Sequence, residues 1–343
     1  MKRDRLLALL RAIRGRRILV AGDYFLDKYL VIDPRLQERS LETGRPAHQV
    51  VNVRLAPGGA GTVASNLAAL GALPLPLGLV GNDGEGWELI EGLRARGIAS
   101  DWLLRSDRHR TGAYVKPMRR LRHGEGEVET ERLDLRRREP IEPRTERQLV
   151  SALREASAGV DVIIVVDAVP DDSGVITARV RDEIAQLGKQ KLILIDSRRH
   201  IGAFRNAVVK PNLREAAAAV GRKRPARAGT RWVNEVASVL YAQTHRPLFV
   251  TAEAQGIYLF DGRRTQKIAA LPPRGPIDVV GAGDCVAASL CAALAAGASL
   301  GESAEFANLA ASVTIHKLGT TGTASPKEIV SLHGKVIQSG LQR

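Results

Sequence analysis

The sequence predicts an α/β domain in which a mainly parallel central sheet has helices on both faces and carries a small β-sheet lid. Apolar, strand-like runs alternate with helical patterns along the chain, as in repeated β-α units. The strand-like runs are apolar throughout, which is typical of strands buried on both faces. Two stretches that alternate polar and apolar residues, 28–55 and 111–135, interrupt this order. At 343 residues the chain is long enough to bury a large core.

The first half of the chain predicts an N-terminal helix followed by strand–helix units. The start, Met-Lys-Arg-Asp-Arg-Leu-Leu-Ala-Leu-Leu-Arg, is too interrupted by charge for a signal peptide and indicates a short amphipathic helix. Continuous apolar runs indicate strands, and helical spacing of apolar residues indicates helices. We expect strands over residues 17–22, 76–80 and 160–167, and helices over residues 59–70, 87–96 and 173–187.

The second half continues this alternation. The Ala-rich run at residues 286–298 is too short to span a bilayer, so we expect a buried helix and no membrane contact. The Arg/Glu-rich segment at residues 136–147 is expected to cross back to the main domain. We expect strands over residues 192–196, 207–210, 247–251 and 256–260, and helices from residue 213 onward, over 279–296 and over 303–317.

The alternating stretches at residues 28–55 and 111–135 predict a second, smaller sheet. Segments such as Ala-Tyr-Val-Lys at residues 113–116 have the pattern of half-exposed antiparallel strands. Both stretches flank the early β-α units, so together they can stand off the main domain as a lid. The alternative is a pair of long surface loops.

The composition narrows the classes of function. The net charge of +14 raises nucleic acid or an anionic membrane as partners. The basic residues are scattered and lack interleaved aromatics or a nucleic-acid motif, so a solvated basic surface is favoured and no nucleic-acid partner is expected. Two cysteines cannot form a disulfide framework, and no Cys/His cluster suggests a metal site. A reducing, cytoplasmic location is therefore expected.

The strongest chemical motif is Ile-Asp-Val-Val-Gly-Ala-Gly-Asp-Cys at residues 277–285. The small residues Gly281, Ala282 and Gly283 leave backbone N–H groups free to approach an anion, and the following helix adds positive potential. Asp284, in the first turn of that helix, is placed to take a hydroxyl proton during phosphoryl transfer. The alternative is a Gly-rich turn in which Asp284 is a simple N-cap.

Other phosphate-binding patterns are missing from the sequence. It contains no Gly-x-x-x-x-Gly-Lys-Ser/Thr, no strand-linked Gly-x-Gly-x-x-Gly and no protein-kinase His-Arg-Asp loop. P-loop, dinucleotide-binding and protein-kinase functions are therefore disfavoured.

A second motif, Lys-Pro-Asn-Leu-Arg-Glu at residues 210–215, follows a predicted strand. Asn212 and Glu215 have the spacing of a capping box at a helix start. Because ligands of open α/β sheets bind at the carboxyl edge, the same two side chains can instead hold Mg²⁺ through bound waters. The residue types alone leave both interpretations open.

Two earlier segments are candidates for substrate contact. In Pro-Gly-Gly-Ala-Gly-Thr-Val-Ala-Ser-Asn at residues 57–66, the glycines expose backbone amides at a helix start; the alternative is a tight turn into a packed helix. Asp23 and Asp27 follow the first strand, and a carboxylate can accept two sugar hydroxyl protons at once; the alternative is an ordinary loop role. Asp167 and Asp196 end other parallel strands and so point to the same edge.

These motifs, in this order, resemble the PfkB/ribokinase family of carbohydrate kinases over residues 18–326. The family's motif Asp-Thr-x-Gly-Ala-Gly-Asp stands here as Asp-Val-Val-Gly-Ala-Gly-Asp at residues 278–284. Within the family the chain is most similar to bacterial D-glycero-D-manno-heptose 7-phosphate kinases, in Pro-Gly-Gly-Ala at 57–60, Phe-Ala-Asn-Leu-Ala-Ala at 306–311 and His-Lys-Leu-Gly-Thr-Thr at 316–321.

The resemblance implies a ribokinase-like fold, with residues 1–343 as a single kinase domain and a lid from about 28–55 and 111–135. Bifunctional heptose enzymes also carry a nucleotidyltransferase domain with a His-x-Gly-His motif, which this sequence lacks, so only the kinase domain is expected. The lid would close over the sugar and exclude water. A homodimer formed through the lid and a monovalent cation near Asp278 are also implied.

The resemblance further implies that ATP, with Mg²⁺, phosphorylates a hydroxyl of a sugar or sugar phosphate. Asp284 would be the catalytic base, and the amides of Gly281, Ala282 and Gly283 would hold the transferring phosphoryl group. The other implied positions are substrate contacts at Asp27, Gly58, Gly59 and Asn66, ATP contacts at Lys210, Asn212, Thr251, Gly256 and Asn308, and a magnesium site, through water, at Asn212 and Glu215.

Several residues depart from the family pattern. Val279 and Val280 stand where Thr is common, and Thr62 stands where heptose kinases have Asn. Glu253 stands where many members have Gly, and a carboxylate there would repel phosphate unless it points away. The alternatives are therefore a kinase of another sugar or nucleoside-like alcohol, and a catalytically inactive binding protein with a kinase fold.

Overall fold

The predicted alternation of strands and helices is present in the structure, a computed structural model that describes residues 1–121, 126–169, 171–319 and 321–338. The helices of these residues are α1 (Arg3–Ile13), α2 (Ala60–Ala69), α3 (Gly84–Arg94), α4 (Pro143–Ala158), α5 (Ala178–Leu187), α6 (Leu213–Ala219), α7 (Thr230–Thr244), α8 (Ala282–Ala295), α9 (Leu300–Thr314) and α10 (Pro326–Gln338).

The strands form one large sheet, a lid sheet and a two-stranded ribbon. In chain order they are β1 (Arg17–Gly22), β2 (Tyr24–Ile32), β3 (Glu38–Arg39), β4 (Pro46–Ala47), β5 (Val50–Gly59), β6 (Leu73–Gly81), β7 (Leu103–Ser106), β8 (Gly112–Arg120), β9 (Glu127–Glu129), β10 (Leu133–Leu135), β11 (Val162–Asp167), β12 (Ile193–Ser197), β13 (Val208–Val209), β14 (Leu248–Thr251), β15 (Ile257–Phe260) and β16 (Thr265–Ile268). The large sheet has the order β16-β15-β14-β13-β12-β11-β1-β6-β7.

The large sheet is parallel from β7 to β14 and antiparallel at β15 and β16. Its central strands are apolar because both faces are covered, and every residue of β11 is buried. One face packs against α1, α2, α8 and α9, and the other against α4, α5, α6 and α7. Helix α8 is apolar around most of its circumference because it packs against α2 and α9. In the part of the chain that is described, no helix has the length and apolarity needed to cross a membrane.

The predicted lid sheet is confirmed. Its strands lie in the order β10-β8-β2-β5, and β9 also pairs with β8. The strands differ from the prediction in two respects: β2 begins at Tyr24, and β2 pairs with β8 in parallel rather than antiparallel. Both strands leave the large sheet in the same direction, which makes them parallel to each other. Residues 122–125 of the predicted lid stretch lie outside the described residues.

Other differences concern helix boundaries and missed elements. The segment predicted to cross back to the main domain overlaps α4, whose first residue, Pro143, has the fixed φ that suits a helix start. The helix predicted over residues 279–296 begins only at Ala282, because Gly281 has a φ of 77°. The helix predicted from residue 173 begins at Ala178, where the Thr177 side chain caps it. The prediction also missed α7, α10, β7 and β16.

Candidate functional site

A cleft of about 330 Å³ opens between the lid and the carboxyl edge of the large sheet. This edge is where open α/β sheets bind ligands, since helix N-termini and strand ends meet there. The cleft is walled by the ends of β11, β12 and β14, the start of α8 and the inner face of the lid. Its charged and polar lining includes Asp27, Thr62, Lys116, Arg132, Asp167, Asp196, Arg198, Lys210, Asn212, Glu215, Thr251 and Asp284.

The turn before α8 brings backbone amides and a carboxyl group to this cleft. Gly281 is the N-cap of α8 and has a left-handed backbone, where a Cβ would lie 2.5 Å from Thr321 Cγ2. Gly281 and Gly283 line the cleft, and amides in the first turn of a helix lack partners within that helix. Ala282 differs from the prediction, because its N–H donates to the Val279 carbonyl at 3.1 Å. Of the three residues predicted to hold the phosphoryl group, two line the cleft, Gly281 and Gly283.

Asp284, the third residue of α8, has an unusual proton affinity. Burial raises the pKa of its carboxyl group to about 7, and the nearby carboxylates of Asp196 and Asp27 act in the same direction. Lys210 and Arg198 oppose this shift. A carboxyl group with this pKa exchanges its proton near neutral pH, which is the property that a general base requires.

Lys210 supplies a buried positive charge beside Asp284. The residue is 3% exposed, and its Nζ lies 3.1 Å from Asp196 Oδ2. Burial lowers the pKa of the ammonium group, but Asp196 and Glu215 outweigh that effect and the net pKa is raised. Lys210 therefore stays protonated and compensates the cluster of carboxylates at this end of the cleft.

Asn212 and Glu215 form the capping box of α6. Asn212 Oδ1 accepts hydrogen bonds from the N–H groups of Arg214 and Glu215, and Glu215 Oε2 accepts one from the Asn212 N–H at 2.7 Å. Burial raises the pKa of Glu215, and Lys210 opposes that shift. Both residues line the cleft, so the capping role seen here coexists with a position beside any bound ligand. Thr251 lies next to them through a β-bridge to Asn212.

The lid contributes a buried ion pair to the opposite wall. Lys116 Nζ donates to Asp27 Oδ1 at 2.7 Å and to Tyr29 Oη at 3.3 Å. Burial lowers the pKa of Lys116, but Asp27 and Tyr29 outweigh it and the net pKa is raised. Asp27 lines the cleft, whereas both oxygens of Asp23 accept backbone N–H groups of the loop after β11. The structure thus separates the two aspartates.

Two predicted substrate positions lie beneath the surface of the cleft. Asn66 is 1% exposed, and its Nδ2 donates to the Thr62 carbonyl of its own helix. Gly58 lies against the Phe25 ring, which a Cβ would approach to 2.5 Å. Gly59, by contrast, lines the cleft. Thr62 lines it as well, so α2 presents Thr62 and not Asn66 to a ligand.

Two predicted ATP positions also lie away from the cleft. Asn308 donates from Nδ2 to the carbonyls of Ile268 and Ala269. Gly256 has a φ of 93°, and a Cβ there would lie 2.2 Å from the Ile268 carbonyl oxygen. Gly256 is therefore required by the close approach of β16. Glu253, with a φ of 52°, is paired with Arg224 and turned to solvent, so its carboxylate points away from the cleft.

The sequence reasoning missed three cationic residues that line the cleft, Lys116, Arg132 and Arg198. Lys116 lies on the same lid face as Asp27, since its strand partner Tyr29 is two residues along β2. The alternation of lid strands was a usable signal for Lys116. Arg198 follows the end of β12, so its proximity to Asp284 depends on the strand order, which sequence does not give.

A lid facing the carboxyl edge of a covered parallel sheet, over a glycine-led helix start, is the architecture of a ribokinase-like sugar kinase. The model of the pfkB family carbohydrate kinases matches residues 27–328. The chain therefore belongs to the pfkB family of carbohydrate kinases.

The curated relatives include bifunctional proteins with a longer chain. The chain is 31% identical over 335 residues to the bifunctional protein HldE of Trichlorobacter lovleyi, covering 96% of this chain and 65% of that one. It is 33% identical over 324 residues to the bifunctional protein HldE of Caulobacter vibrioides, covering 92% and 63%. The chain thus spans about two thirds of the length of these relatives.

Solved structures share the fold at low sequence identity. Arabidopsis thaliana ribokinase, complexed with ribose and ATP, superposes with a TM-score of 0.67 at 17% identity, covering 93% of this chain and 98% of that chain. Escherichia coli phosphofructokinase-2, in complex with fructose-6-phosphate, gives a TM-score of 0.71 at 18% identity, covering 94% and 99%. These comparisons confirm the predicted fold class.

Proposed function

We propose that the protein transfers the γ-phosphoryl group of ATP to a hydroxyl group of a sugar or sugar phosphate resembling heptose 7-phosphate. The observation that carries this proposal is the position of Asp284. Its carboxyl group, with a pKa of about 7, stands in the first turn of α8 and lines the same cleft as Asp27 and Lys210. A base near neutrality beside an anion-binding helix start suits phosphoryl transfer to an alcohol.

In this mechanism Asp284 accepts the proton of the acceptor hydroxyl as the oxygen attacks phosphorus. Asp27 and the backbone at Gly59 hold the sugar, and the lid excludes water that would compete as acceptor. The amides of Gly281 and Gly283 stabilise the charge that spreads over the transferring phosphoryl oxygens. Asn66 and Gly58 support this surface from beneath rather than touching the sugar.

On the ATP side, Lys210, Asn212 and Thr251 are the proposed contacts, because all three line the cleft beside Asp284. Lys210 brings a positive charge that suits a polyphosphate. Gly256 and Asn308 act indirectly: both hold the 268–270 backbone, Gly256 by close packing and Asn308 by hydrogen bonds. The proposed role of these two residues is therefore to position that backbone beside ATP.

Magnesium fits this cleft in a water-mediated form. Among the described residues, no three His, Cys, Asp or Glu side chains are grouped as a metal site. Mg²⁺ usually keeps several waters and binds through one or two carboxylates and the substrate phosphates. Asn212 and Glu215 are suitably placed, since the capping box uses only one carboxylate oxygen of Glu215. The bound ion would neutralise phosphate charge.

The resemblance also implies a monovalent cation near Asp278. Asp278 Oδ1 accepts the Val280 N–H at 3.0 Å, and Oδ2 accepts the Gly319 N–H at 3.1 Å. The Oδ2 bond holds the loop before α8 to the loop after α9, and the Oδ1 bond closes a turn within the loop before α8. Asp278 supports the catalytic turn through these bonds, and no step of the proposed mechanism requires the cation.

Two free, buried cysteines, Cys285 and Cys291, agree with the proposed cytoplasmic location.

A pH profile tests the role of Asp284. Because burial raises the pKa of Asp284 to about 7, the carboxyl group is mostly protonated at pH 6 and cannot accept the hydroxyl proton. We expect kcat/KM to rise through a pKa of about 7 and to level off above it. An acid limb near pH 4, the range of an ordinary aspartate, would contradict the assignment.

The acceptor is best identified by measuring ATP consumption across sugars and phosphosugars, with heptose 7-phosphate, fructose 6-phosphate, ribose and nucleosides as probes. We expect turnover with a phosphosugar, because Lys116, Arg132 and Arg198 line the cleft. Turnover with neutral sugars alone would favour the second candidate, a kinase of another alcohol. No turnover with any acceptor would favour the inactive binding protein.

The position of Thr62 supports the second candidate, a kinase of another alcohol. It occupies the cleft on α2, where its Oγ1 donates to the Pro57 carbonyl at 3.1 Å, and it stands where heptose kinases have Asn. We expect Thr62→Asn to raise kcat/KM for heptose 7-phosphate about tenfold relative to ribose, since an amide reaches a hydroxyl that Thr cannot. Thr62→Val is the matched control. An unchanged ratio of the two kcat/KM values would show that Thr62 does not determine substrate choice.

We also propose a homodimer formed through the outer face of the lid. Side chains on that face leave apolar surface open to solvent, among them Val51, Val53, Leu55 and Leu133, which are 36–54% exposed. Such a contiguous patch is typical of an interface. We expect Val53→Asp to shift the protein from dimer to monomer in size-exclusion chromatography with light scattering. Val239→Asp, at an exposed site on α7, is the control, and a monomeric wild type would contradict the proposal.

A further inference from the structure

A second cavity lies at the base of the lid, behind the wall of the catalytic cleft. The lid side is formed by Phe25, Tyr114 and Leu135, and the side of the large sheet by Leu79 and Val175. The rings of Phe25 and Tyr114, whose centroids are 4.6 Å apart, line both this cavity and the cleft. A molecule in the cavity would therefore touch the lid, the main domain and the wall of the cleft at once.

Within the described part of the chain, two buried nitrogen atoms of residues that line this cavity have no hydrogen-bond partner. They are Nδ1 of His109 and Nε of Arg136. A guanidinium nitrogen is a donor only, and Nδ1 of histidine is a donor in one tautomer and in the charged form. Leaving such groups unpaired costs free energy, so the arrangement favours a bound group with acceptor oxygens in this cavity.

The charges around the cavity are mainly positive. The positive residues lining it are Arg110, Arg136 and Arg137, while the imidazole of His109 is neutral near pH 7 because its pKa is lowered to about 4. Arg136 pairs with Asp171 through Nη1 at 3.3 Å, so this ion pair does not use its Nε. Arg137 Nε lies 3.8 Å from Glu139, which is a long ion pair. Asp23 also lines the cavity, but its two oxygens are held by three backbone N–H groups.

The size of the cavity limits what could bind. It offers about 50 Å³, whereas one water needs roughly 10–15 Å³ of such space. A nucleotide or a sugar does not fit, but a small group with several acceptor oxygens does. From this cavity, its two unpaired nitrogen atoms and its arginine lining, we propose a binding site for a small inorganic oxyanion, of the phosphate or sulfate type, at the base of the lid.

The occupant of this site bridges the lid and the main domain, so it stabilises one orientation of the lid. The site does not depend on the proposed function, because the cavity contains none of the residues assigned to phosphoryl transfer. If one of the two proposals is wrong, the other is unaffected.

The imidazole of His109 reports directly on this site. Burial lowers the pKa of His109 to about 4, and Arg137 acts in the same direction while Asp83 opposes it. An anion beside the ring favours the imidazolium, so sulfate should raise this pKa and should bind more tightly as the pH falls. The charged groups that face the imidazole and enter this balance are Arg110, Arg136, Arg137, Asp23 and Asp83.

The test is a sulfate titration of the full chain, followed by NMR of the histidine rings, with His109→Gln used to assign the His109 signal. We expect a saturable shift of that signal with sulfate, and none with sodium chloride at equal ionic strength. Arg136→Gln should weaken sulfate binding about tenfold, since it removes a charged hydrogen bond. Arg120→Gln, which removes an exposed lid arginine outside the cavity, should keep wild-type binding.

Two results would overturn the proposal. One is an equal His109 shift in sulfate and chloride at the same ionic strength, which would show a general salt effect and no oxyanion site. The other is a sulfate-dependent shift that ADP abolishes while Arg136→Gln preserves it, which would place the sulfate in the catalytic cleft. If Arg136→Gln fails to fold, Arg137→Gln removes a neighbouring charge of the same cavity and gives the same comparison.

Discussion

Replacement of Asp284 by Asn is expected to lower kcat about 10²–10⁴-fold, the usual contribution of a general base. The amide keeps the size of the side chain at the start of α8 but cannot accept the hydroxyl proton. ATP affinity should stay nearly unchanged, because Lys210, Asn212 and Thr251 are untouched. Single-turnover phosphoryl transfer and equilibrium ATP binding, measured on the same preparation, separate the two effects.

Asp182→Asn, on the exposed side of α5, is the matched control for this substitution. It removes a carboxylate far from the cleft and should keep wild-type turnover. The free energy of unfolding of Asp284→Asn should be at least that of the wild type at neutral pH. The reason is that a neutral amide avoids the burial cost that raises the pKa of the native carboxyl group. Turnover close to wild type in Asp284→Asn would remove Asp284 from the mechanism.

Lys210→Met is expected to damage both stability and catalysis. Lys210 is almost fully buried, and it pairs with Asp196 within a cluster that includes Glu215 and Asp284. Breaking a buried pair by removing one partner typically costs about 3–5 kcal/mol, because the other charge stays buried without compensation. The loss of positive charge should also raise the pKa of Asp284 further, so the acid limb of the pH–rate profile should move to higher pH.

Chemical denaturation and the pH–rate profile measure these two consequences separately. Adding Asp196→Asn to Lys210→Met should recover part of the lost free energy of unfolding, since it removes the uncompensated carboxylate. Lys189→Met, at an exposed position beyond α5, should leave both quantities unchanged. Additive effects of Lys210→Met and Asp196→Asn would show that the pair is not coupled and would weaken the account of the cluster.

The fold was predictable because most of its signals are local. Continuous apolar runs marked β1 and β11 to within two residues, and alternation marked the lid strands. The missed helices α4 and α10 are amphipathic, with buried residues at helical spacing, but α4 begins inside an Arg/Glu-rich segment that favoured a surface crossing. The parallel pairing of β2 with β8 could not be read from either strand, since it depends on where the chain re-enters the lid.

The candidate site was predictable in part. The turn before α8 carries its own geometry, since Gly281 permits the left-handed backbone that starts the helix at Ala282. On α2, however, the sequence comparison indicated Asn66, while the structure turns Thr62 to the cleft and buries Asn66. One helical turn separates these residues, so only the packing of α2 against the lid strands and α8 decides which of them meets a ligand.

The ordered set of motifs that ends in Asp284 was enough to indicate a kinase of the pfkB family, because glycine-rich turns and helix starts depend on residue type and spacing over a few positions. The proton affinity of Asp284 was not available from that motif. It arises from burial and from Asp196, Asp27, Lys210 and Arg198, which the sheet order and the lid bring together from distant parts of the chain. Electrostatic interaction depends on distance in space, so only the tertiary structure could place the pKa of this carboxyl group near neutrality.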